Sequence, residues 1–173
     1  MGTSKMPRFR LHAAAGGVGT ISTEAKAEYA RAHGCAYVIA TDREDFVPRV
    51  RDVTQGNGVD VVFDGVGSDT FLRSFDCIRK YGMMVSFGQA AGMMAPVDPV
   101  LLQHKGLYLT KFSGSTYNAD VAEYQQRASE VLTAIQAGVL KRGEHALYSL
   151  NTVGEAHREL ESRRSTGSLV IAL

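Results

Sequence analysis

The run Ala13-Ala14-Ala15-Gly16-Gly17-Val18-Gly19 places small residues at the spacings that let backbone amides approach a phosphate without side-chain obstruction. A glycine cluster after an apolar strand also serves as a plain tight turn, so the segment reads either as a pyrophosphate cradle or as a chain reversal. A dinucleotide fingerprint should open a helix at once, turning the positive end of the helix dipole toward the phosphates. Here only Thr20 and Ile21 stand between Gly19 and Ser22, and the helical pattern beyond them is mostly charged.

The other chemistry-bearing types are scattered. None of the five histidines pairs with Cys, Asp or Glu at metal-ligand spacing, and no Ser-His-Asp arrangement is suggested. His12 reads as a strand-end or core histidine. Cys35 and Cys77 are too few for a disulfide framework and lack the paired spacing of a structural zinc site, so both read as buried thiols. No catalytic acid, base or nucleophile is assigned.

The elements that must position these groups alternate in type. Strands are expected over 8–14, 37–40, 59–64, 83–87, 107–112 and 168–173. Between them lie expected helices over 23–33 (Ser22 as cap, Gly34 as stop), 45–54 (Asp45 as cap), 69–80 (Gly82 as stop), 98–104, 119–137 and 153–163. This rhythm predicts a doubly wound α/β fold on a parallel sheet, with residues 1–10 as an extension and 11–173 as one nucleotide-binding domain. Ligands of such sheets bind beyond the C-terminal strand ends, which singles out 15–19, 41–43, 64–67 and 88–92.

Composition narrows the function classes. Nineteen Lys and Arg against 18 Asp and Glu give no general attraction to nucleic acid or to an anionic membrane. No run approaches the ~20 apolar residues of a membrane helix, and no signal-peptide pattern is present, so a soluble, cytoplasmic protein is expected.

The segments HAAAGGVG (12–19), STEAKAEYARAHG (22–34), GVDVVFDGVGSDTF (58–71), GMMVSFGQAAG (82–92), QHKGLYLT (103–110) and AHRELESRRSTGS (156–168) together resemble the cofactor-binding half of zeta-crystallin-like NADPH:quinone oxidoreductases. These form a zinc-independent branch of the medium-chain dehydrogenase/reductase superfamily. The resemblance implies a Rossmann-like fold, NADPH as cofactor, a small quinone as acceptor and a homodimer built through strand 107–112. Two blocks of the family have no counterpart in these 173 residues: the N-terminal catalytic domain, and the first helix with most of the second strand, which relatives carry between the positions of Gly19 and Thr20. Parallel neighbours need a crossover of a dozen or more residues. The sheet is therefore expected to be one strand and one helix shorter, or to be completed by a partner chain.

By the same resemblance Gly16, Gly17 and Val18, with Gly19, lie along the pyrophosphate, and Ser22 and Lys26 near the adenosine 2′-phosphate. Lys26 reads alternatively as a solvated lysine on a helix face. Relatives often have a tyrosine where Thr41 stands; Arg43 offers a compensating charge, and the lack of an acidic residue just after Ile21 favours NADPH over NADH. Phe87, Gly88 and Gln89 match the family's Phe-Gly-Asn segment near the nicotinamide. Asp64 and Val66 match a loop near the cofactor, with Asp64 read equally as satisfying backbone amides at its strand end. Two functions are implied: hydride transfer from NADPH to a quinone or enone, or a catalytically impaired nucleotide-binding or dimerisation module.

Overall fold

A computed structural model describes residues 16–140, 143, 145–162 and 165–173. The strand expected over 8–14 and the 1–10 extension lie outside these residues. The chain divides into two compact units, one ending at Glu44 and one spanning Asp45–Leu173.

In the first unit β1 (Val18–Ile21) pairs in parallel with β2 (Tyr37–Ala40), Val18 opposite Tyr37 and Ile21 opposite Ala40. The crossover is a 3-10 turn, Glu24–Lys26, running into α1 (Ala27–Ala32), with Ala27, Ile39 and Ala40 buried. This corrects the expectation of a loop over 16–19, since Val18 and Gly19 are strand residues. β-Branched Val18, Thr20 and Ile21 favour extended backbone, and the amides of Ala36 and Tyr37 both donate to the Gly17 carbonyl, at 3.0 and 3.1 Å. The direct connection from a strand through one short helix to β2 is as expected, but that strand is β1. Ser22 does not cap the helix: Thr23 holds the N-cap position and makes no side-chain bond there. Gly34 ends the helical segment at φ +92°.

The second unit opens with α2 (Phe46–Val53), capped by Asp45, whose carboxylate accepts from the Val47 amide at 3.0 Å. Pro48 falls in the first turn, where its missing N–H removes nothing. β3 (Val59–Asp64) comes next, as expected. The helix expected over 69–80 is far shorter: α3 (Phe71–Ser74) passes into a 3-10 turn, Phe75–Cys77, and the chain is extended from Ile78. The apolar spacing that suggested a longer helix is real as burial, because Phe71, Phe75 and Ile78 share one cluster with Met84. The helical segment ends where Ile78 turns extended (φ −88°, ψ 136°), and Lys105 covers carbonyls at that point. Its Nζ donates to the carbonyls of Phe75, Asp76 and Ile78 at 3.4, 3.3 and 2.8 Å, giving the terminal carbonyls a partner outside the helix. Gly82, expected as the stop, lies inside β4 (Ile78–Ser86), where a Cβ would collide with Cγ2 of Ile78 and come within 2.8 Å of the Asp60 carbonyl oxygen.

α4 (Pro99–Gln103), capped by Asp98, leads to β5 (Tyr108–Lys111), and the sheet order is β3-β4-β5, all parallel. Val62, Met94, Val97, Leu102 and Leu107 pack around the cluster. Burying each of its large side chains contributes roughly 1.5–3 kcal/mol. α5 (Gly114–Tyr117), which the apolar pattern did not signal, precedes α6 (Val121–Gln136).

β6 (His145–Ser149) is a further strand, absent from the expected elements; its five residues alternate too briefly to stand out. Through α7 (Val153–Glu161) it returns as β7 (Ser168–Ala172), paired in parallel with β6. α7 packs against both strands. Tyr148, Leu169 and Ile171 are half-buried, whereas Leu147 and Val170, in register on the alternate positions, are 65% and 40% exposed. No helix among the described residues is long and apolar enough to cross a membrane.

Candidate functional site

β3 and β4 are adjacent and parallel, so their C-terminal ends, Asp64 and Ser86, open side by side. The loops beyond them, 64–70 and 87–92, are stitched by backbone bonds: Phe87 N–H to the Asp64 carbonyl (2.9 Å), Ala90 N–H to that of Gly65 (3.2 Å), Ala91 N–H to that of Val66 (2.8 Å) and Ser68 N–H to that of Gly92 (3.2 Å). The Ser68 hydroxyl adds a bond to the Ala91 carbonyl at 2.9 Å.

Glycine is required at this seam. A Cβ at Gly88 would lie 2.5 Å from the Gly65 carbonyl oxygen, and one at Gly65 would lie 2.7 Å from the Phe87 ring. Gly67 combines a φ of +91° with a position where a Cβ would collide with the Gly92 carbonyl oxygen.

Asp64 holds the first loop in shape. Its Oδ1 accepts from the amides of Val66 and Gly67 at 3.0 and 2.9 Å, and its Oδ2 from the hydroxyls of Thr70 and Ser74 at 2.7 and 3.5 Å. The side chain is buried and its acceptor sites are engaged, so of its two expected roles the backbone-satisfying one describes its contacts. Ser68 and Thr70 belong to this assembly and were not singled out from sequence. The only signal available was a hydroxyl placed four and six residues after a strand-end acid.

On this floor Val66 (37% exposed), Phe87 (55% exposed) and the exposed Gln89 face outward. Val66 and Phe87 are apolar, and the Gln89 amide can both donate and accept.

The structure thus brings together Asp64, Val66, Phe87, Gly88 and Gln89 among the residues singled out from sequence. Gly16, Gly17, Val18, Gly19, Ser22 and Lys26 lie in the first unit: Gly16 and Gly17 ahead of β1, Val18 and Gly19 within it, Ser22 just beyond its end and Lys26 in the 3-10 turn. Cys77 is buried as expected, and burial, with the Asp76 charge, pushes its thiol up to about 11. Cys35, expected to be buried, is only half-buried: it lies in the connection ahead of β2, with Sγ 3.1 Å from the Tyr37 carbonyl oxygen. Among the described residues no three His, Cys, Asp or Glu side chains are grouped to hold a metal.

A family profile described as zinc-binding dehydrogenase matches residues 33–171. Quinone oxidoreductase 1 of Escherichia coli (strain K12) is 37% identical over 95% of this chain and 56% of its own length. The 2-haloacrylate reductase of a Burkholderia species is 36% identical over 93% of this chain and 54% of its own. Among solved structures, the E. coli quinone oxidoreductase complexed with NADPH aligns with a TM-score of 0.83 at 37% identity, over 90% of this chain and 49% of that one. The quinone oxidoreductase of Pseudomonas syringae pv. Tomato DC3000 aligns at 0.84 and 35%, over 90% and 48%. The fold is a Rossmann-like parallel α/β fold, and the chain spans about half the length of the curated relatives it matches.

Proposed function

The chain belongs to the zinc-binding dehydrogenase family, and from that premise we propose that it is the nucleotide-binding half of an NADPH-dependent, zinc-independent quinone oxidoreductase. The observation that carries the reading is the interlocked pair of loops at the C-terminal ends of β3 and β4, where this fold class binds its ligands. Val66, Phe87 and Gln89 would receive the nicotinamide end, and Gly65, Gly67 and Gly88 fit that use because they let the two loops close on each other with no side chain between them. NADPH, when bound, supplies the hydride for a quinone or enone acceptor. The protein's own residues hold the ring: Phe87 and Val66 as apolar floor, the Gln89 amide as hydrogen-bonding partner, Asp64 as the positioning residue that fixes the loop. Ser22 and Lys26 in the first unit remain the proposed contacts of the 2′-phosphate.

A second reading is a binding or dimerisation module. β5 lies at the edge of its sheet with Tyr108 exposed, and we assign it to self-association in a cytoplasmic homodimer. Heating the protein with and without NADPH, then adding a small quinone and tracking NADPH absorbance, separates the readings. Thermal protection with consumption supports the enzyme; protection alone supports the module; no protection removes NADPH from both.

A further inference from the structure

The connection from α2 to β3 holds the chain's one Asn-Gly pair: Asn57 precedes Gly58, whereas Asn118 precedes Ala119 and Asn151 precedes Thr152. An asparagine before glycine is open to attack on its own side chain, because no Cβ on the following residue hinders its backbone nitrogen from reaching Cγ. Asn57 is exposed, so water reaches the site. The backbone around it is tightly turned, with Gln55, Gly56 and Gly58 at φ +53°, +81° and +87°. One contact stands against the reaction. The Gly58 amide donates to Thr54 Oγ1 at 3.0 Å, and that hydroxyl, on the residue that ends α2, donates onward to the Val50 carbonyl at 2.7 Å. A nitrogen that attacks must release its proton, and the bond to Oγ1 both retains that proton and fixes the direction of the N–H.

We propose that Asn57-Gly58 is a site of spontaneous backbone modification and that the Thr54 hydroxyl restrains it. The Gly58 nitrogen bonds to Asn57 Cγ as the Cγ–Nδ2 bond breaks, and ammonia leaves carrying the former amide proton. The product is a cyclic succinimide. Water then opens the ring: at Cγ it gives aspartate, and at the backbone carbonyl it gives isoaspartate, whose main chain runs through Cβ and Cγ and is one carbon longer. Nothing is oxidised or reduced. The added length arrives where the chain has no slack, since a Cβ on Gly58 would lie 2.6 Å from the Cys77 carbonyl oxygen. Val59, the next residue, opens β3 opposite Ile78, so isoaspartate disturbs the entry to the strand that ends at Asp64.

The full chain, Thr54→Val, Thr54→Ser and Asn57→Gln are aged together in mildly alkaline buffer, with a sample of the parent in urea. Each event adds one carboxylate and takes the formal net charge from +1 to zero, so ion exchange separates the product. Peptide mapping locates it, and a protein isoaspartyl methyltransferase scores the isoaspartate. Expected are slow modification of the parent at Asn57, a rate about fivefold higher in Thr54→Val, the equivalent of one hydrogen bond, the parent's rate in Thr54→Ser, and no product from this position in Asn57→Gln. If Thr54→Val fails to fold, the folded parent against the parent in urea decides, and the folded chain should be the slower. Equal rates in those two samples, Thr54→Val ageing at the parent's rate, product at Asn118 or Asn151 ahead of Asn57, or no product in any sample overturns the proposal.

Discussion

Two glycine-bearing regions of this molecule read alike in sequence and differ in what their glycines do. At the second-unit seam, a Cβ on Gly67 or Gly88 would drive into a backbone oxygen of the opposing loop. In the first unit, a Cβ added at Gly17 meets nothing, and the segment runs straight into a ladder. At Gly67 conformation and neighbour together forbid a side chain; at Gly17 neither does. Spacing alone does not establish that.

Substitutions test this contrast most sharply where both penalties coincide. Gly67→Ala adds left-handed strain to a backbone collision and should lower the stability of the second unit by about 3 kcal/mol, read as a shift in its urea midpoint. Next comes Asp64→Ala, which leaves two amides and two hydroxyls at a buried position without their acceptor and should cost about 2 kcal/mol. Nicotinamide affinity should fall with it, since the loop loses its support; unchanged affinity in a destabilised variant would separate the carboxylate from the site.

A smaller effect distinguishes the two helix starts. The Val47 amide donating to Asp45, helped by the Arg73 guanidinium 2.5 Å away, holds the Asp45 carboxyl below its ordinary value of 3.8, whereas Thr23 makes no cap bond. The folded state therefore favours the ionised form. Its contribution is complete above the unfolded carboxylate's pKa and fades as pH falls through the lowered one. Amides of α2 should lose exchange protection in that acid range, Asp45→Asn should flatten the dependence, and α1 should show none from this source. Smallest of all, Gly17→Ala should leave stability within about 0.5 kcal/mol of the parent. A loss comparable to that of Gly67→Ala would erase the contrast between the regions.

Most elements of the second unit were legible because their signals are local. Asp45 and the apolar run Val59–Asp64 announce a cap and a buried strand without help from tertiary contacts. The failures arise where a distant residue decides. Nothing near Ile78 reveals that Lys105 will take the carbonyls a longer helix would have used. Nothing in Gly16-Gly17-Val18-Gly19 reveals that Tyr37 and Val38 will pair with its second half. That Asp64, Val66, Phe87, Gly88 and Gln89 stand at or just beyond the ends of two strands was readable. The seam of backbone bonds that joins the two loops was not, because spacing carries no information about which carbonyl an amide will find.

The β6–β7 pair carries a consequence for the protein's lifetime. With α7 over one face, Leu147 and Val170 exposed on the other, and Ala156 as the one buried residue of the helix, it has little to lose on opening. A segment so lightly held unfolds locally at a lower free energy than the β3–β5 core and exchanges its amide hydrogens independently of it. Proteolytic turnover should begin at this β6–α7–β7 unit, while the loops at the ends of β3 and β4 are still intact.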